Sequence, residues 1–151
     1  MRTVAFYIVA THLGGAERSL LELIQGLQRA PELGYVPWVI APRGDGPLIE
    51  RCRQLGVAFD VVEMPERFFK LSRTGPVSTA IRLGVGSGPA MVAYLARLGR
   101  LIRQRKPALL HSNGIKCHAL AAVIGPLTGV PVLWHLRDIL QDGPALWTLR
   151  G

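Results

Sequence analysis

His135, Arg137 and Asp138 place an imidazole, a guanidinium and a carboxylate within four positions of this chain. An imidazole near neutral pH donates to or accepts from a sugar hydroxyl or a phosphate, and a guanidinium pairs with phosphate oxygens. On an extended strand His135 and Arg137 share one face, with Asp138 starting the loop beyond. A second reading makes Arg137 and Asp138 a surface pair or helix cap and His135 a core hydrogen-bonder. Near the other end, Gly14 and Gly15 precede a helical pattern, where backbone amides can approach an anion and the helix dipole adds favourable potential. A phosphate or diphosphate fits there; a tight turn with close helix packing explains the same two glycines. His12, Arg43, Ser112 and Asn113 follow other apolar runs and complete a set of candidate substrate contacts. His111, inside a strand pattern, and His118, inside a helical one, read as structural.

Other chemistries lack their residues. Neither Gly-x-Gly-x-x-Gly nor Gly-x-x-x-x-Gly-Lys-Ser/Thr occurs, which disfavours a dinucleotide-dependent dehydrogenase and a P-loop nucleotidase. His-Glu-x-x-His, Gly-x-Ser-x-Gly and deaminase spacings are absent too, so no metal site and no serine nucleophile are expected. Cys52 and Cys117 form no Cys-x-x-Cys pair and suit reduced thiols in a cytoplasmic protein.

Positioning these residues requires alternating strands and helices. Val4 to Ala10 is a short apolar run, the pattern of a strand buried on both faces. Leu20, Leu23, Ile24 and Leu27 then recur at helical spacing until Pro31 and Gly34 end the period. The alternation repeats with a strand at Val36 to Ala41, a loop at Pro42 to Pro47, a helix at Leu48 to Leu55 and a strand at Val57 to Val62. Residues 63–88 are punctuated by Pro65, Gly75, Pro76, Gly84, Gly86 and Gly88, with a short helix at Val77 to Leu83. A long helix spans Pro89 to Lys106, proline standing where its missing amide costs nothing. A strand at Ala108 to His111, a helix at Lys116 to Leu127 and a strand at Val130 to His135 follow. Such alternation predicts one α/β domain with a doubly wound parallel sheet, whose ligands bind beyond the strands' carboxyl ends where strand order reverses.

The whole chain has 151 residues, 49% of them apolar, which suits one folded domain and excludes a disordered tail. Its net charge of +8 favours anionic partners. Arg97, Arg100, Arg103, Arg105 and Lys106 put five cations in ten residues, interleaved with Leu98, Leu101 and Ile102. Arg97, Arg100, Arg103 and Lys106 are therefore candidates to face an anionic membrane surface, against the alternative of a solvated helix end. Nucleic acid is not an expected partner, because no recognised module or aromatic stacking pattern accompanies the charge. Twenty uncharged residues run from Cys117 to Leu136, but Pro126, Gly129 and Pro131 break them, so a spanning helix is not expected.

Gly14-Gly15-Ala16-Glu17-Arg18-Ser19-Leu20, Ala41-Pro42-Arg43-Gly44-Asp45-Gly46-Pro47-Leu48, His111-Ser112-Asn113 and Gly129 through Asp138 occur in that order. Together they resemble the amino-terminal domain of the group 1 (family 4) retaining glycosyltransferases, from Met1 to about Asp138. The resemblance implies a Rossmann-like domain, one half of the two-domain GT-B architecture. It further implies a nucleotide-sugar donor, a glycan or lipid-linked acceptor, no metal and no cofactor beyond the donor itself. Gly14 and Gly15 would lie near the donor diphosphate and His135 near the transferred sugar, while His12, Arg43, Ser112, Asn113, Arg137 and Asp138 would meet acceptor or substrate. The family's pair of glutamates eight positions apart has no counterpart here. The chain is accordingly expected to be a first domain without its donor-binding carboxyl-terminal partner, inactive alone, cytoplasmic and peripheral at the inner membrane face. A non-catalytic acceptor-binding or docking subunit, and an unrelated doubly wound nucleotide-binding enzyme, remain alternatives.

Overall fold

A computed structural model describes residues 1–10, 12–69 and 88–136. Five parallel strands form one sheet: β1 (Arg2–Ile8), β2 (Tyr35–Ala41), β3 (Ala58–Val61), β4 (Leu109–Asn113) and β5 (Val132–His135), in the order β3-β2-β1-β4-β5. Helices α1 (Gly15–Arg29) and α2 (Pro47–Gln54) pack on one face, and α4 (Gly88–Arg105) and α5 (Ile115–Thr128) on the other. A single helical turn, α3 (Glu66–Phe69), follows β3. The doubly wound α/β class expected from the sequence is the observed one, and strand order reverses between β1 and β4.

Alternation along the strands separates two cores. Ala5 and Tyr7 of β1 join Ile40 and Leu110 against Leu98 and Ile102 of α4 and Ile124 of α5. Val4, Phe6 and Ile8 point the opposite way and join Val39 against Leu20, Ile24 and Leu48. Each core is lined by successive helices on its own side, as right-handed crossovers require.

Element ends follow from pairing rather than from residue type. β1 starts at Arg2 because Tyr35 pairs with it, and stops at Ile8 because its neighbours' last pairs are Tyr7 with Ile40 and Ile8 with Asn113. Val9 and Ala10, apolar enough to extend the run, therefore leave the sheet. Conversely β4 continues through Ser112 and Asn113, whose polar side chains suggest a loop, because β1 and β5 supply ladders on both sides. β5 begins at Val132, since Pro131 has no amide to donate. Pro126 lies inside α5, as the helix expected over Lys116 to Leu127 requires. The helix tolerates it in its last turn, where Thr128 Oγ1 donates to the Ile124 carbonyl at 2.8 Å and the left-handed Gly129 closes the helix. Gly125 permits this packing: a Cβ there would overlap the Val132 side chain and come within 3.2 Å of the Val130 carbonyl oxygen. The short helix expected at Val77 to Leu83 lies outside the described residues.

Both cysteines are buried thiols outside any disulfide. Burial pushes the Cys52 thiol up to about 11, so little thiolate is available at neutral pH, as befits a packing residue. In the α4 and α5 core the Tyr7 and Tyr94 hydroxyls, each residue 1% exposed, share a 2.6 Å hydrogen bond. Burial raises both phenols above their usual range, which keeps them neutral. Removing one hydroxyl strands the other. Tyr7→Phe and Tyr94→Phe should each lower unfolding free energy by about 1–3 kcal/mol, whereas the double variant loses clearly less than the sum. A urea-denaturation double-mutant cycle measures the coupling.

Candidate functional site at the β1 and β4 rim

All five strands point their carboxyl ends to one rim, and the crevice forms where β1 and β4 diverge into loops bound for opposite faces. On the β1 side, Gly14 caps α1 with extended backbone, and its amide donates to Glu17 Oε2 at 2.9 Å. This one-way cap arises because Glu17 stands at the third helical position, where a carboxylate reaches back to the cap amide. Glu17 is only 6% exposed, so an internal anion already occupies part of the glycine turn. Gly15 is exposed, and a Cβ added to it meets nothing within 4 Å. His12 is exposed, with its ring beside Gly14: a Cβ on that glycine would lie 3.6 Å from His12 Nε2.

On the β4 side the two strand faces carry different chemistry. Ser112 is fully buried; its Oγ donates to the Leu133 carbonyl at 3.3 Å and lies 2.7 Å from His118 Nδ1. Since the one hydroxyl proton goes to the carbonyl, Oγ accepts from a protonated His118 Nδ1. His118 also stacks on Trp134 at 5.6 Å. This pair ties β4, α5 and β5 together and is structural, as expected for His118. Ser112, expected as a substrate contact, is instead enclosed on the face covered by α4 and α5, because strand pairing extends past it. Asn113 is likewise buried, on the opposite face.

That opposite face holds the histidines. His135 ends β5 opposite Asn113, and His111 lies two residues before Asn113 on the same side of the sheet. His111 Nε2 and His135 Nδ1 are 3.1 Å apart, with the rings edge to face. His111 is 3% exposed and packs on Phe6 at 5.0 Å, whereas His135 is half-buried at the rim. The sequence reading missed this contact by treating His111 as an isolated strand residue. Its signal was the shared alternation phase of His111 and His135 on what become neighbouring strands.

Arg43, after β2, donates to Glu66 Oε2 at 2.7 Å and lies over the Phe69 ring, 5.0 Å from its centroid. Lys116, at the start of α5, donates to the Phe69 carbonyl at 2.6 Å and approaches the same ring. Sequence reasoning passed over Lys116; the two cations jointly hold α3 against the rim. The basic stretch of α4 is similarly divided. Arg97 donates to the Glu63 carbonyl at 3.1 Å and Arg103 to the Leu127 carbonyl at 2.7 Å, the latter on the negative end of α5. Arg100 and Lys106 are exposed. Arg137 and Asp138 lie outside the described residues. Among the described residues no three His, Cys, Asp or Glu side chains are arranged to hold a metal ion, and no helix is long and apolar enough to cross a membrane.

The chain belongs to the glycosyl transferase 4-like domain family, whose profile matches residues 14–150. Its fold is shared with Anabaena HepE in complex with UDP and glucose, at TM-score 0.62 and 19% identity, over 93% of this chain and 31% of that one. It is shared also with spinosyn rhamnosyltransferase SpnG complexed with thymidine diphosphate, at TM-score 0.58 and 17% identity over 97% and 37%. Acinetobacter baumannii MurG matches at TM-score 0.59 and 14% identity over 99% and 39%. The chain thus spans about a third of the length of these structures. No curated protein matches the sequence.

Gly14 and Gly15 can be separated experimentally. A Cβ at Gly14 would sit 2.8 Å from Glu17 Oε2, so Gly14→Ala must push the carboxylate off the cap amide and should cost about 1 kcal/mol. Gly15→Ala should leave the urea midpoint unchanged or raise it. If Gly15→Ala nevertheless weakens nucleotide-diphosphate binding, the loss belongs to the ligand and not to the fold.

Proposed function

We propose that this chain is the acceptor-side domain of a retaining glycosyltransferase, which transfers a sugar from a nucleotide-diphosphate donor to a glycan or lipid-linked acceptor. The observation that carries the reading is the rim of a family 4-like domain on which the α1 terminus, with Gly14 and Gly15, and the His111 and His135 pair flank the strand-order reversal. The nucleotides named in two structures of the same fold, UDP and thymidine diphosphate, fit a donor of that class. A donor-binding domain facing this rim completes the cleft, consistent with the greater length of those structures. His12, at the glycine turn, and His135 meet the substrates from the two sides; Arg137 and Asp138, outside the described residues, remain candidates from their place in the sequence.

The chemistry asked of this half is modest. The bond from anomeric carbon to diphosphate breaks as positive charge develops on the sugar, and donors aimed at the leaving oxygens stabilise the charge that separates. The α1 amides and an imidazole N–H are donors of that kind. No metal is needed, since fixed dipoles and side chains supply the compensation. In the natural polypeptide carrying these residues, His135→Ala should lower sugar transfer from UDP-glucose or a thymidine-diphosphate sugar by about 10²-fold or more, and EDTA should leave transfer intact. Wild-type rates in His135→Ala would overturn the assignment.

The membrane clause of the proposal rests on Arg100 of α4 and Lys106 just after that helix, both exposed, with Arg97 and Arg103 beside them on tethered side chains. Each cation near an anionic surface contributes about 1 kcal/mol. Arg100→Glu with Lys106→Glu should therefore reduce flotation with phosphatidylserine vesicles at low salt by more than about tenfold; equal flotation of variant and wild type removes the clause.

A further inference from the structure

We propose that His111 is the positioning residue of the site: its Nε2–H donates to His135 Nδ1, fixing the ring of His135 and holding its remaining proton on Nε2, toward the cleft. The inference rests on the reading of His135 as a substrate-binding histidine and specifies how that histidine is made ready. It starts from register. His135 pairs with Asn113, and His111 is the diagonal neighbour on the same face, a relation that brings long side chains on adjacent parallel strands within reach. The two nitrogens are 3.1 Å apart, a hydrogen bond in distance.

A hydrogen bond between two neutral imidazoles has one proton and one lone pair, so only two arrangements exist. If His135 donates from Nδ1, its Nε2 is a lone pair and can only accept. If His111 donates, His135 Nδ1 accepts and Nε2 carries N–H. With Nδ1 accepting, His135 offers its one N–H from Nε2 to a sugar hydroxyl oxygen or a phosphate oxygen of the proposed donor, and the donating His111 supplies that polarity. His111 can enforce it because its own ring is held: it is 3% exposed, packed on Phe6 at 5.0 Å and set edge to face with His135 at 5.1 Å. Water has little access to take its place. His135, half-buried at a strand end, owes its direction to the residue behind it.

Histidine 15N NMR on this chain tests the arrangement directly. At pH 9, above the ordinary histidine range, His135 should show Nε2 protonated and Nδ1 as a hydrogen-bonded acceptor. In His111→Leu that tautomer should relax to a mixture. In His111→Gln, whose amide nitrogen reaches about where the imidazole Nε2 stood, it should return. A wild-type His135 protonated on Nδ1, or a His135 tautomer unmoved in His111→Leu, overturns the proposal. Circular dichroism monitors folding; should His111→Leu unfold, the wild-type tautomer and His111→Gln still decide. Kinetics of the natural polypeptide separate this idea from the reading beneath it. His111→Leu should lower kcat by about tenfold, one hydrogen bond's worth, with His111→Gln recovering most of it. If His135→Ala abolishes transfer while His111→Leu has wild-type kcat, the positioning role fails and the site stands. If His135→Ala has no effect, the site assignment itself fails.

Discussion

Burial of β1 on both faces is the constraint from which the rest of the domain follows. A strand with helices above and below must place apolar side chains at every position, and Val4 to Ile8 do so without exception. Once β1 is central, β2 and β4 must flank it, and the chain has to cross from one side to the other between β3 and β4. That crossing creates the strand-order reversal. The crevice is therefore a consequence of sheet topology, and the polar residues at the rim are those that the chain happens to carry past each strand end.

The same constraint explains why the histidines divide into two roles. Alternation on β4 sends Ser112 toward α5 and His111 toward the α1 side. On the α5 side the polar atoms must be paired internally, and Ser112, His118 and the Leu133 carbonyl satisfy one another. On the other side the buried His111 meets a partner, His135, that ends β5 and is half-buried at the rim. Two histidines seven positions apart in sequence thus serve different ends because one faces a helix and the other faces the neighbouring strand's terminus.

Much of the fold was legible in the sequence because parallel strands advertise themselves as unbroken apolar runs and helices as a 3.6-residue period. The glycine turn, the long helix and the placement of His135 at a strand end all came from such local signals. Errors fell where pairing overrides residue type: Ser112 and Asn113 are polar and yet in the sheet, and Val9 and Ala10 apolar and yet outside it. The His111 contact needed knowledge of which strands become neighbours, and no local pattern states that. Glu17 was quoted as part of a motif, but its role as the occupant of the Gly14 amide depends on three-dimensional closure of the cap.

Net charge proves a poor guide to a binding surface for a related reason. A cation near a free backbone carbonyl or an acid gains more by folding onto it than by waiting in solvent, within the modest limits of exposed pairs. Arg97 and Arg103 end on helix and loop carbonyls, Arg105 reaches Asp60 at 2.7 Å, Arg53 reaches the Gly44 carbonyl at 2.8 Å, and Arg43 pairs with Glu66. Among the described residues, these cations serve as local ties between elements. At the rim itself the charge nearest the glycine turn is negative, the carboxylate of Glu17. On the proposed reading, a diphosphate approaching α1 would meet favourable amides and an unfavourable carboxylate together, which is why the proposal leans on the imidazoles of His12 and His135 as donors.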